Sequence, residues 1–297
     1  MSSVSNEPRL VFTEDNSAEV AAAAFDETTD PRLRDILRSL VRHLHAFAKD
    51  VELTQTEWEA GIEFLTHTGQ KCDATRQEFI LLSDVLGLSM LVDSITNRIP
   101  VGATETTVLG PFHMVDSPPR ALGDDISLAD GGEPCVVTGT VASVDGTPLA
   151  GALVDVWQAD EKGFYDVQNP DLVPDLNLRG LFNTDANGSF HFKTIVPAHY
   201  PIPTDGPVGQ LLERTKRHPY RPAHIHFIAG AAGHHPITTH IFVDGSPYLD
   251  SDAVFGVKES LVVEFSLVDD PQQAEHYGTS NPFRHAHIDL VLTADPS

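Results

Sequence analysis

Cysteine is almost absent from this chain: Cys72 and Cys135 are the 2 cysteines in 297 residues. A disulfide framework therefore does not organise the fold, and a reducing, cytoplasmic setting is expected. Positive charge is scarce too. Lys and Arg number 19 against 43 Asp and Glu, for a net charge of −24. There is no basic run to hold a polyanion, which argues against nucleic acid as a partner. So acidic a chain needs a local cation wherever it handles an anionic substrate or product. Long apolar runs are also missing. The stretch from Phe79 to Ile95 is broken by Ser83, Asp84, Ser89 and Asp93, so no membrane span is expected. Met1 to Glu7 has neither a basic nor an apolar region, so no signal peptide is expected either.

What is present changes in texture along the chain. Leu33, Ile36, Leu37, Leu40, Val41, Leu44 and Phe47 follow the three-four spacing of an amphipathic helix. Thr56 with Glu59 resembles a capping box ahead of Trp58, Ile62 and Leu65. Thr75 with Glu78 resembles another, ahead of a helix expected to run to about Thr96. That helix is apolar on more than one face, as expected between two layers or in a subunit interface. From Thr104 onward Gly, Pro and Asp become frequent. Short β-rich runs follow at Cys135–Val141, Leu153–Trp157, Ser189–Ile195, His224–Ile228, Thr238–Val243, Leu261–Phe265 and Ile288–Leu292. Turns such as Asp145-Gly146 and Asn187-Gly188 separate them. Helices first and strands second predict a segregated α+β chain: a helical domain over 1–104, then an antiparallel β-sandwich over 105–297. The loops from Pro170 to Arg179 and from Pro201 to Pro219 are long, and long loops on a sandwich commonly carry function.

Two histidines, His224 and His226, lie two apart in a strand-like run, so their side chains share one face. That spacing brings two imidazoles within reach of one metal ion. Upstream, Tyr165 and Tyr200 each end a strand-like run. Phenolates are hard anionic donors. Two of them with one hydroxide would balance Fe(III), whereas a zinc hydrolase more often adds Cys or a carboxylate to its histidines. Taken alone, each element has a plainer reading. A His-x-His is commonly solvated or hydrogen-bonded, and a lone Tyr is commonly a core residue with a bonded hydroxyl. His285-Ala286-His287 repeats the spacing without tyrosines nearby and reads as structural or surface, as does His234-His235 in a Gly/Ala-rich turn.

Four segments together resemble the intradiol ring-cleavage dioxygenases. They are Leu109-Gly110-Pro111-Phe112; Gly151 to Asp160 running on to Tyr165; Pro197-Ala198-His199-Tyr200-Pro201; and Arg221-Pro222-Ala223-His224-Ile225-His226. The resemblance extends over nearly the whole chain. It is of the catechol type, because one chain carries both the helical part and the sandwich. Leu81, Asp84, the Val108-Leu109-Gly110 turn, Ile202 and Thr239-His240-Ile241 are most similar to the hydroxyquinol-cleaving group.

The resemblance implies one Fe(III) per subunit, held by Tyr165, Tyr200, His224 and His226 with a hydroxide. It implies insertion of both atoms of O2 between two ring hydroxyls. Tyr200 would act as a base and Tyr165 would stay bound. Arg221 would steady negative charge on the ring. His240 stands where many catechol enzymes would have Gln, and is taken as a further catalytic residue. The substrate would meet Leu81, Asp84, Val108, Leu109, Gly110, Pro111, Phe112, Ile202, Pro203, Arg221 and Val254, with Asp84 facing a third ring hydroxyl. A homodimer through the N-terminal helices, with a phospholipid at the interface, is also implied.

Two other classes compete. Val137–Val141 through Thr147–Ala152 looks like the strands of transthyretin-like sandwich modules without catalysis. A zinc or cupin-like metalloenzyme would use His224 and His226 with a carboxylate. Catechol or a chlorocatechol is the alternative substrate for the same ring-opening chemistry.

Overall fold

The computed structural model describes residues 11–73, 76–98, 100–113, 117–168, 171 and 173–295. The chain divides into two compact units, Met1–His67 and Thr68–Ser297. In the first, helix α1 (Ser17–Ala23) packs on α2 (Pro31–Asp50), and α3 (Gln55–Gln70) begins. Helix α2 starts where Asp30 accepts from the N–H groups of Arg32 and Leu33, with Pro31 at the first helical position. Its predicted stripe is there, but no residue of α2 is buried: Leu33, Ile36, Leu40, Leu44 and Phe47 face outward.

The capping box of α3 lies two residues before the predicted one. Thr54 N–H donates to Glu57 Oε2 at 2.9 Å, and Glu57 N–H to Thr54 Oγ1 at 3.4 Å, so Thr56 and Glu59 are inside the helix. The predicted Thr75 cap lies outside the described residues. Its partner Glu78 is fully buried and accepts from Val208 N–H at 3.1 Å, which caps a different helix.

The helix expected to reach Thr96 is two helices, α4 (Glu78–Val85) and α5 (Leu88–Thr96), bent by 81°. Gly87 makes the break, with φ at +74°, a conformation that costs a residue with a Cβ. Phe79, Ile80, Leu91, Val92 and Ile95 on this pair are exposed. Among the described residues no single helix is long and apolar enough to cross a membrane.

The remainder is built of strands β1 (Pro134–Ser143), β2 (Leu153–Gln158), β3 (Arg179–Asn183), β4 (Ser189–Ile195), β5 (Tyr200–Pro201), β6 (Tyr220–Arg221), β7 (His224–Gly230), β8 (Ile237–Val243), β9 (Val262–Val263), β10 (Ser266–Val268) and β11 (Phe283–Leu292). Helix α6 (Pro207–Arg214) lies between β5 and β6, and α7 (Pro271–Tyr277) between β10 and β11. One sheet runs β10-β11-β1-β4 and the other β3-β2-β7-β8-β9, while β5 and β6 pair separately. Most pairings are antiparallel, with one parallel pair in each large sheet, β1 with β11 and β8 with β9. Val137, Phe190, Phe192 and Leu290 of the first sheet meet Val156, Phe182, Ile225 and Phe227 of the second in one buried core.

The sandwich therefore stands as expected, with local differences. The stretch read as a strand over Leu261–Phe265 contains a short 3-10 turn and a two-residue strand. The long loop to Pro219 holds α6. Arg179 opens β3, and Pro170, at the start of the other predicted loop, lies outside the described residues.

Candidate active site

Strand period decides which residues reach the outer face of the five-stranded sheet. Ile225 and Phe227 point into the core, so His224 and His226 point away from it. Register then aligns three side chains: Trp157 of β2 lies opposite His226 of β7, and His226 opposite His240 of β8. The indole stacks on the His226 ring at 4.5 Å between centroids, and the His240 ring meets it edge-on at 4.1 Å. His226 is thus held from both sides.

Tyr165, from the loop after β2, and Tyr200, on the short strand β5, join this row. Tyr165 follows β2, its N–H donates to Gln168 Oε1, and Phe112 stacks on its ring at 4.5 Å. Tyr200 sits on β5 opposite Arg221 on β6. The space beside it is cleared by Gly163, where a Cβ would lie 2.8 Å from that of Tyr200. The four side chains predicted as ligands converge. Tyr165 Oη is 2.9 Å from His226 Nε2 and 3.3 Å from Tyr200 Oη, and the two Nε2 atoms are 3.2 Å apart. Ligand atoms each bonded at about 2.0–2.2 Å to one ion would be separated by roughly 3 Å, so the spacing fits a common centre. All four are buried.

Hydrogen bonds sort the ring nitrogens. His224 Nδ1 donates to Pro222 O at 2.7 Å, which leaves its Nε2 lone pair on the side of His226 Nε2. His240 belongs to the same imidazole cluster, whose ligand atoms lie within 4.8 Å of one another. Yet its Nε2 is 2.7 Å from His226 Nδ1, the nitrogen turned away from the phenols. His240 therefore buttresses His226 and does not face the common centre. His285 and His287 bond Thr138 Oγ1, each at 2.9 Å, on the other sheet. His234 is half-buried and His235 exposed.

Burial sets the charge states. It pushes His224, His226 and His240 well below the ordinary imidazole range, with the Arg221 guanidinium adding to the effect at all three. Three neutral imidazoles keep lone pairs for bonding. Burial also raises the Tyr165 phenol well above its usual value, with Tyr200 beside it, so forming its phenolate requires a cation at the centre. Arg221 stays charged although burial opposes this, because the Asp252 carboxylate beside it holds its pKa up. Its Nη1 is 3.3 Å from His224 Nε2 and its Nε 3.2 Å from Asp252 Oδ1. The carboxylate that pairs with Arg221 is itself buried.

A cavity of 640 Å³ lies alongside. Leu81, Asp84, Val108, Leu109, Gly110, Pro111, Phe112 and Pro203, all anticipated, line it. Gly110 brings it to the Tyr–His cluster: φ is +77°, and a Cβ there would lie 3.2 Å from His226 Cε1. Three anticipated wall residues do not line it. Ile202 and Val254 are buried in a cluster with Leu81 and Val85, and Arg221 turns to His224 and Asp252. Asp84 is buried on α4 and its carboxyl is pushed up by burial, against which the Ser89 hydroxyl and Arg221 pull.

Sequence reasoning missed the second layer. Arg179 and Asp166 form a buried bidentate pair, with Arg179 Nη1 also donating to Phe112 O at 2.8 Å, so one cation ties Phe112 to the turn carrying Tyr165. Asp252, Thr107 and Trp157 were missed as well. Their only sequence signal was polar or aromatic residues in runs that read as loop or strand.

Comparison with known proteins agrees with this geometry. The family model described as "Catechol dioxygenase N terminus" matches residues 30–104, and that described as "Dioxygenase" matches 118–294. A hydroxyquinol 1,2-dioxygenase of Rhizobium sp. (strain MTP-10005) is 52% identical over 95% of this chain and 96% of its own. A 6-chlorohydroxyquinol 1,2-dioxygenase of Cupriavidus pinatubonensis is 52% identical over 84% of this chain and 91% of its own. The solved structure of a hydroxyquinol 1,2-dioxygenase from Pseudomonas putida DLL-E4 superposes with a TM-score of 0.89 at 48% identity, over 95% of this chain and 99% of that one. The reading as a non-catalytic transthyretin-like module is thereby set aside, and the chain belongs to the intradiol ring-cleavage dioxygenase family.

Proposed function

We propose that this protein is a ferric dioxygenase that inserts both atoms of O2 into hydroxyquinol (1,2,4-trihydroxybenzene), giving 3-hydroxy-cis,cis-muconate or its tautomer maleylacetate in aromatic degradation. The observation that carries this is the convergence of Tyr165, Tyr200, His224 and His226 beside a cavity lined by Asp84. Two phenols and two neutral imidazoles, with no carboxylate or thiolate among the four, suit Fe(III) better than zinc. One ion per subunit would be held by these four residues. It would supply Lewis acidity that draws electron density from the ring oxygens and so prepares the ring for O2.

The chain's own residues do the rest. Tyr200 takes a proton from a ring hydroxyl at its phenolic oxygen. The Arg221 guanidinium, fixed by Asp252, faces the negative charge that grows on the ring. Asp84 receives the third ring hydroxyl beside the apolar side chains of Leu81, Val108, Leu109 and Pro111. Phe112 closes over Tyr165 and keeps water from that side.

The same reading takes residues 1–104 as a dimerisation domain and 105–297 as the catalytic domain. The exposed apolar residues of α2 support a homodimer with a phospholipid at its interface. A cytoplasmic location fits the scarce cysteine. The test is oxygen uptake by the iron-loaded protein with hydroxyquinol, catechol and 4-chlorocatechol. Fast uptake with hydroxyquinol and slow uptake with the other two is expected. Preference for catechol would move the substrate assignment, and no uptake with any of them would end the proposal.

A further inference from the structure

We propose that Thr107 is a positioning residue: as terminal acceptor for His240 it stabilises the proton order in which His226 carries its N–H on Nδ1, and so holds the His226 Nε2 lone pair toward the Tyr–His cluster. This rests on the ferric reading above and assigns Thr107 a part in it. The three side chains form a continuous buried line. Thr107 Oγ1 is 2.6 Å from His240 Nδ1, and His240 Nε2 is 2.7 Å from His226 Nδ1. Thr107, His240 and His226 are 2%, 0% and 1% exposed, so bulk water does not replace any of these bonds.

Proton order along the line follows from one requirement. If His226 Nε2 offers its lone pair to a metal, its single N–H must be on Nδ1. His240 Nε2 must then accept that N–H. A neutral imidazole has one N–H, so the proton of His240 is on Nδ1, and it can go only to Thr107 Oγ1. The hydroxyl oxygen accepts it and anchors the line. The reverse order would put the proton of His226 on Nε2 and spoil the ligand.

Thr107 is itself held still. Its N–H donates to Thr238 O at 2.9 Å, and Thr239 Oγ1 donates to Glu105 O at 2.7 Å, so the segment is fastened along β8. Metal-ligating histidines commonly pass their second N–H to a carboxylate, a carbonyl or water. Here the acceptor is a second imidazole, which can take the bond only in one tautomer, and the threonine oxygen accepts the N–H that this tautomer leaves on His240 Nδ1.

Two pairs of variants test this in the holoenzyme. Thr107→Ser keeps an acceptor oxygen, and Thr107→Val keeps shape but removes it. His240→Gln can restore the order, its carbonyl accepting from His226 and its amide donating to Thr107, whereas His240→Leu cannot. The readouts are Fe(III) affinity against a competing chelator and the position of the phenolate-to-iron visible band, with circular dichroism to establish folding. Thr107→Val and His240→Leu should bind iron about 10-fold more weakly or worse and shift the band, while Thr107→Ser and His240→Gln should stay within about 2-fold. Wild-type affinity and band in Thr107→Val, or equal loss in His240→Gln and His240→Leu, would overturn the proposal while leaving the ferric site intact. A wild-type protein that takes up no Fe(III) would overturn both readings.

Discussion

Arg221 and Asp252 lie buried against each other, Nε 3.2 Å from Oδ1, with the far side of the guanidinium 3.3 Å from His224 Nε2. Asp252 is in turn fixed by the N–H groups of Val254 and Gly256. A rigid carboxylate thus aims a buried cation at the Tyr–His cluster of a strongly acidic protein.

Removing that carboxylate leaves a buried guanidinium uncompensated. Asp252→Ala should lower unfolding stability by about 3–5 kcal/mol, the usual cost of breaking one side of a buried pair. Urea denaturation of wild type and variant measures this. A loss below about 1 kcal/mol would mean that the pair is hydrated, as surface pairs are.

Asp84 is the buried carboxyl in the cavity wall, and the third ring hydroxyl is what distinguishes hydroxyquinol from catechol. Asp84→Ala should lower the kcat/KM ratio of hydroxyquinol to catechol by roughly 10- to 100-fold, as expected for about 1–3 kcal/mol of lost hydrogen bonding. Steady-state kinetics on both substrates give the ratio. An unchanged ratio would remove Asp84 from the account of specificity.

His224, His226 and His240 all have folded-state pKa values pushed down by burial. The unfolded chain takes up protons on these rings near pH 6.5, and the folded chain does not. Stability of the metal-free protein should therefore be level above about pH 7 and fall as pH drops below roughly 6.5, by up to about 1.4 kcal/mol per pH unit for each ring. Urea midpoints from pH 8 to pH 5 check this. Stability that rises over the same descent would show that the rings are charged in the folded state.

Much of this was legible in the sequence because short-range geometry carries it. A spacing of two in a strand puts His224 and His226 on one face whatever the rest of the fold does. The Tyr165 and Tyr200 positions were legible only through resemblance to a family, since nothing local draws a loop phenol to a strand 61 or 26 residues away. The residues that steady the site were missed for the same reason. Asp252 is 31 positions from Arg221 and Thr107 is 133 from His240, and no local pattern encodes such pairs. The α4–α5 break was misread although Gly87 marked it, because apolar periodicity continues through the bend. The α3 cap was misplaced because Thr54-Glu57 and Thr56-Glu59 have the same spacing. Thr54 wins by placing both its N–H and its hydroxyl on Glu57. Ile202 and Val254 were expected at the cavity and are packed behind it, since an apolar residue beside a pocket and one lining it look alike in sequence.

In the proposed site two phenols and two imidazoles hold one ferric ion. Visible absorption of the purified protein, read together with its metal content, tests it most directly. The expected result is a red-brown protein with one iron per chain, and a phenolate-to-iron band that shifts or fades in Tyr165→Phe and in Tyr200→Phe. A colourless protein, whether zinc-loaded or unable to take up Fe(III), would contradict it.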